Sequence, residues 1–231
     1  MKAFTLTGAL LMSSVTGAAV AALPHGELVY ASERSGTPTS LAFKRPDGAK
    51  IAIFEQGFDF SYDKADDTSN TSRGGAYSVV QFSENGELTG GQGTSGTESL
   101  YYCAFVRMAD GCVVKVSEGQ ICGGAWGTDG HWHTTPDGPA AKIDNDPPHV
   151  SKVYKGYAAG LKDATFVTSP RILAYLEFGT TVDNLLVCDP PGTTNTNTYQ
   201  QLIAALKRDK DDVNAIKIQA ALTTFLEPHE P

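Results

Sequence analysis

Four cysteines, Cys103, Cys112, Cys122 and Cys188, constrain this chain more than any other feature. An even number in an oxidising compartment closes into cross-links that decide which segments become neighbours. The N-terminus points to such a compartment. Met1-Lys2 gives a positive end, Ala9-Leu10-Leu11-Met12 opens an apolar run, and Ala19-Val20-Ala21 supplies a small-residue cleavage site. Together these read as a secretory signal peptide over residues 1–22. The run is broken by Gly, Ser and Thr and falls short of the ~20 apolar residues of a membrane-spanning helix, as does every later stretch. The expectation is a secreted, extracellular, soluble protein with no membrane span. Cleavage leaves about 209 residues, enough for one β-rich domain with a substantial core.

Local pattern narrows the cysteine pairing. Leu100–Val106 and Cys112–Val116 read as hairpin strands around Asp110-Gly111. In that ladder Cys103 lies several residues away from Cys112, beyond the roughly 7 Å between Cα atoms that a disulfide tolerates. Two schemes remain. Cys103–Cys188 with Cys112–Cys122 is preferred, and Cys103–Cys122 with Cys112–Cys188 is the alternative. A zinc–thiolate site lacks the C-x-x-C spacing that would favour it.

From Glu27 to about Asp189 short β-branched and aromatic runs alternate with Gly, Asp and Asn. This is the pattern of antiparallel sheet. Turns are read at Pro46-Asp47-Gly48, Asn85-Gly86 and Asp110-Gly111. They separate strands at Ser40–Lys44 and Lys50–Glu55, at Tyr77–Ser83 and Glu87–Thr89, and at the cysteine-bearing pair. Further strands are expected at Glu27–Ala31, Ser151–Lys155, Ala164–Thr168, Arg171–Phe178 and Asn184–Cys188. The segment from Gly123 to Pro148 has no period and reads as a long loop, the kind of segment that carries sites.

After Pro190-Pro191-Gly192 the period changes to that of helices. One stripe holds Tyr199, Leu202, Ile203 and Leu206. A second holds Val213, Ile216, Ala220, Leu222, Phe225 and Leu226, behind Asp211 and Asp212. The fold class expected is α+β: mainly antiparallel β, as a sandwich or open barrel, with a C-terminal helical hairpin. The β domain spans 23–189, residues 190–198 form a linker, and the hairpin over 199–231 packs on the β domain.

The chemistry is less explicit. His131-Trp132-His133 in an extended segment directs both imidazoles to one side, the arrangement that could hold zinc or copper, with Asp129, Asp137, Asp144 or His149 as third ligand. An exposed aromatic loop is the competing reading. Loss of Leu23-Pro24 after cleavage behind Ala22 would make His25 N-terminal. An N-terminal His followed by Gly26 resembles the copper brace of lytic polysaccharide monooxygenases, and the resemblance extends to these two residues alone. Asp144-Asn145-Asp146 is stopped by Pro147-Pro148 and lacks the later Gly and Glu of a calcium loop. Gly93-Thr94-Ser95-Gly96 lacks a nucleophile-elbow spacing. Glu55, Glu98, Glu118 and Glu177 are unranked as catalytic carboxylates, because their separation depends on the fold.

Trp126 and Trp132 are candidates for a binding surface, and Asn70-Thr71-Ser72 is a glycosylation sequon in a polar stretch. A net charge of −8 disfavours nucleic acid and anionic membranes as partners. The sequence therefore leads to a secreted interaction module, effector-like or associated with a cell surface, that needs no cofactor and meets an extracellular protein or glycan. The alternative is an extracellular metal-dependent enzyme acting on a polymer through His131 and His133.

Overall fold

The computed structural model describes residues 25–61, 70–89, 95–160 and 172–227. The signal segment and the strand expected at Ala164–Thr168 lie outside them. The protein is α+β, with antiparallel sheets and a C-terminal helical pair. β1 (Glu27–Arg34), β2 (Thr37–Lys44) and β3 (Lys50–Ala52) form one sheet in that order. The turn before β3 is built by Asp47, whose carboxylate accepts from the Ala49 amide at 2.9 Å. β4 (Asp59–Ser61), β5 (Tyr77–Thr89), β6 (Ser95–Arg107) and β7 (Val113–Glu118) form the second sheet. β8 (Ala125–Trp126) and β9 (Trp132–His133) make a small hairpin.

Alternation along β5 and β6 sends successive side chains to two different cores. Val80 and Phe82, with Ala104 and Val106, join Leu41 and Phe43 of β2 and a cluster of phenylalanines in one layer shared by both large sheets. Val79, Cys103 and Phe105 point the other way and pack with Val114 and Trp132. The two sheets thus share one core, and no closed barrel is formed among the described residues.

Several expected elements differ. Asn85-Gly86 is not a turn, because β5 runs through it unbroken. Asn85 sits opposite Ser99 of β6, and its side chain links Ser99 to Asp59 of β4 at 2.5 Å on each side. Ser151–Lys155, read as a strand, lies in helix α1 (Val150–Gly160). Val150, Val153 and Tyr157 are its buried face, at the i, i+3, i+7 spacing of a helix. Asn184–Cys188 lies in helix α2 (Val182–Cys188), whose start is capped by Thr181, with Oγ1 accepting from the Asn184 amide at 3.1 Å. Within Arg171–Phe178, residues Ile172–Tyr175 form a 3-10 turn.

The hairpin is present as α3 (Thr196–Arg208) and α4 (Asp212–Leu226). Tyr199, Leu202, Ile203 and Leu206 are buried as read, but α4 turns a different face inward: Ala215, Ile218 and Leu222 are buried, while Val213 and Ile216 are exposed. α4 is apolar on nearly all sides, so its period could not select the face. These helices share their core with α1 and α2.

α2 is the joint between the layers. Asn184 is buried, and its Oδ1 accepts from the Val113 amide of β7 at 2.8 Å. One turn later Cys188 is bonded to Cys112, with Cα atoms 4.9 Å apart, while Cys103 is bonded to Cys122 at 5.3 Å. This is the alternative of the two sequence-derived schemes, and the preferred one is set aside. Cys188 sits on a helix docked against the start of β7 next to Cys112. Cys122 is carried back to Cys103 by the 3-10 turn Gly119–Gly123, and both cystines pack in the same cluster.

Candidate functional site

A pocket of about 590 Å³ opens beside the β8–β9 hairpin, walled by residues 123–129 and 133–136. It falls within the long segment singled out in the sequence. The hairpin is closed by the Gly127 amide donating to the His131 carbonyl at 2.7 Å and by the Gly130 amide donating to the Gly127 carbonyl at 3.0 Å. Any Cβ at Gly127 would lie 2.6 Å from Asp129 Oδ1 and 2.8 Å from the His133 ring and would push these side chains aside. The carboxylate and the imidazole therefore lie directly against the backbone at the pocket wall.

His133 and Asp129 form a fixed pair. His133 Nδ1 lies 2.8 Å from the Gly138 carbonyl, and Nε2 lies 3.1 and 3.0 Å from the two oxygens of Asp129. Asp129 Oδ1 also accepts from the His131 amide at 3.0 Å. Two oxygen acceptors, one at each ring nitrogen, favour the imidazolium, which alone can donate at both positions. The Gly138 carbonyl and then Asp129 raise the His133 pKa above its ordinary value. The His131 amide first, and His133 after it, lower that of Asp129.

This pair makes the hairpin sensitive to base. A histidine whose pKa is raised on folding contributes stability that is complete below its unfolded value of about 6.5 and is lost as pH rises through the folded value. In an NMR titration the His133 ring protons are expected to move with a midpoint above about 6.5. Asp129→Asn should lower that midpoint, and an unmoved midpoint in the variant would show that the carboxylate does not hold the ring.

The aromatic wall is equally fixed. Trp126 donates from its indole nitrogen to the Asn70 carbonyl at 3.1 Å and stacks on Tyr77 with centroids 6.4 Å apart. Trp132 meets Trp126 edge to face at 5.3 Å and donates to the Ile121 carbonyl at 2.7 Å. Burial, followed by the hydrogen bond to Asp144, pushes the Tyr77 phenol up to about 12, so it stays neutral beneath the indole.

The sequence-derived candidates are thus separated. Trp126 lines the pocket, whereas Trp132 is 3 % exposed and belongs to the core rather than to a surface. His131 is exposed, while His133 lines the pocket with both ring nitrogens facing protein oxygens. Of the side chains considered as a third ligand, Asp129 joins His133, Asp144 bonds Tyr77, and His149 faces Asp189 at 3.7 Å. Among the described residues no group of three His, Cys, Asp or Glu side chains is placed to hold a metal ion. Glu177 supports the sheet, accepting from the Val116 amide at 2.8 Å. Thr128 and Thr135, which also line the pocket, carried no signal in the sequence. The i, i+4 spacing of Asp129 and His133 was a readable clue to their pairing.

No family model, curated protein or solved structure matches the chain. Two disulfides and no free cysteine fit an extracellular protein. No described helix is long and apolar enough to cross a membrane.

Proposed function

We propose that the protein is secreted and acts outside the cell as a non-catalytic interaction module, effector-like or bound at a cell surface, with the pocket beside the β8–β9 hairpin as its binding site. The observation that carries this reading is the state of the acid–base pair in the pocket wall. A general base needs a free lone pair aimed at substrate. His133 instead directs both nitrogens at Gly138 and Asp129, so the pair serves to shape the wall. The thiols, all oxidised, offer no nucleophile.

The same reading includes removal of residues 1–22 and a glycan on Asn70. Ser72 of the sequon is buried and its Oγ accepts from the Tyr77 amide at 2.8 Å, so the modification belongs to the chain before it folds.

The test is expression of the full chain in a secreting eukaryotic host, followed by N-terminal sequencing, intact mass and elemental analysis of protein from the medium. The expected product starts at Leu23, carries two disulfides and a glycan lost in Asn70→Gln, and holds no stoichiometric metal. Labelled protein should be retained on intact cells or on isolated surface polymers. An uncleaved intracellular product, or zinc or copper lost in His131→Ala, would replace this reading, and absence of retention on every surface tested would remove the interaction role.

A further inference from the structure

We propose that the ligand of this pocket is a neutral saccharide, a short oligosaccharide of uncharged pyranose rings; the proposal rests on the pocket being the binding site of the function set out above. Three properties of the wall converge on that class.

The first is the aromatic surface. Trp126 has a single polar atom, and that atom is consumed by the Asn70 carbonyl. With Tyr77 stacked on it and Trp132 and Phe105 against it edge-on, the ring is held rigidly and offers the pocket only hydrocarbon and π surface. A rigid aromatic face suits the C–H face of a sugar ring, which is flat, weakly apolar and fringed with hydroxyls.

The second is charge. The charged side chains lining the pocket are Asp129 and His133, and they neutralise each other at 3.0 Å. No lysine or arginine lines it. A phosphate, sulfate or carboxylate would meet the Asp129 carboxylate without a free cation to offset it. An ammonium ligand would meet the imidazolium. A neutral ligand avoids both penalties.

The third is hydrogen-bonding capacity. Asp129 is half exposed and keeps acceptor sites beyond those used by His131 and His133, and the hydroxyls of Thr128 and Thr135 both donate and accept. Vicinal sugar hydroxyls are donors and acceptors in alternation and match this set. The volume, about 590 Å³, lies within the range of small-molecule sites and exceeds what one ring fills.

The chain has two tryptophans, so a ¹⁵N-labelled sample shows two indole N–H signals. Mature protein at pH 6 is titrated with neutral oligosaccharides of β-linked glucose, β-linked N-acetylglucosamine and α-linked mannose, and with a sulfated disaccharide. The expected result is saturable movement of the Trp126 indole signal with at least one neutral sugar and weaker response to the sulfated one. Asp129→Asn, which leaves the imidazolium without its counter-charge, should weaken the neutral sugar about tenfold or more and strengthen the sulfated one. Thr128→Val should weaken the neutral sugar severalfold while the remaining spectrum stays unchanged, which separates loss of a contact from loss of the fold.

Three results overturn the proposal: no response to any neutral sugar, tighter binding of the sulfated disaccharide to the wild-type protein, or affinity unaffected in both variants. If sugars fail while labelled protein is still retained on surfaces and Asp129→Asn reduces that retention, the ligand class is wrong and the pocket remains the binding site. If retention itself is absent, the interaction role fails with it.

Discussion

Replacing both Cys112 and Cys188 by alanine is expected to lower the thermal midpoint by about 10–15 °C. The bond closes a loop with a sequence separation of 76. In the chain-entropy description a loop of that length is worth about 4.5 kcal/mol, against about 3 kcal/mol for the loop between Cys103 and Cys122. Alanine is chosen at both positions because Cys112 is fully buried, where a lone thiol or a hydroxyl would add a cost of its own. The effect should be read by calorimetry and by urea unfolding with amide exchange in α2. If the bond acts on the native joint as well, α2 amides lose protection first, with the Val113 amide still donating to Asn184 and the Thr181 hydroxyl still donating to the Ala52 carbonyl of β3. A shift of about 3 °C or less would mean that packing and hydrogen bonds hold α2 in place without the cystine.

Phe82→Ala should cost about 3–5 kcal/mol, comparable to the loss of that disulfide but by a different route. Phe82 is 1 % exposed and lies at the centre of the layer between the sheets. Its ring is 5.1 Å from those of Phe54 and Phe58, 5.8 Å from Phe60 and 5.4 Å from Tyr102. Those partners come from the connection after β3, from β4 and from β6, so filling the space would require several elements to shift together. Residual cavity therefore persists, and the transfer and cavity terms add. Urea denaturation should show a lower midpoint at an unchanged slope. A cost of about 1 kcal/mol would show that the layer collapses around the gap.

The parts of this fold that could be read from sequence are those in which a local signal and the tertiary contacts agree. Asp47-Gly48 and Asp110-Gly111 are turns because their carboxylates accept from nearby amides of the same loops and Gly111 holds a φ of +88°. The face of α3 was readable because its opposite side is polar. Where one signal had two solutions, the choice was made elsewhere. Asn85-Gly86 carries the dipeptide of a tight turn, yet pairing with Ser99 and Asp59 uses the asparagine within a continuous strand. α1 and α2 are short and rich in valine, leucine and tyrosine, residues that also suit strands. The Thr181 cap was the local mark of α2, and without it the disulfide choice could not be made, since Cys188 reaches Cys112 only from a helix in that place. In α4 the inward face is set by its neighbours, with Lys217 held by Asp183 of α2 at 2.8 Å.

The candidate pocket was legible as a location and not as an arrangement. The stretch without period from Gly123 to Pro148 contains the residues that line it, and its strands are only two residues each. The His-x-His spacing suggested a shared ligand, but a two-residue strand after a tight turn sends His133 to the pocket and leaves His131 outside, with Trp132 turned into the core between them. Nothing local announces that the Gly138 carbonyl will meet one side of the ring.

The order of the cysteines along the chain has a consequence for survival among proteases. The bonds interleave, since Cys112 lies between Cys103 and Cys122 and its partner Cys188 lies beyond both. Cutting any one peptide bond from Cys103 to Cys188 leaves the pieces covalently tied through at least one cystine. The pocket lies wholly within that interval. A single clip can nick the loop that carries it without releasing a fragment, so an attacked molecule stays one molecule for as long as its environment stays oxidising.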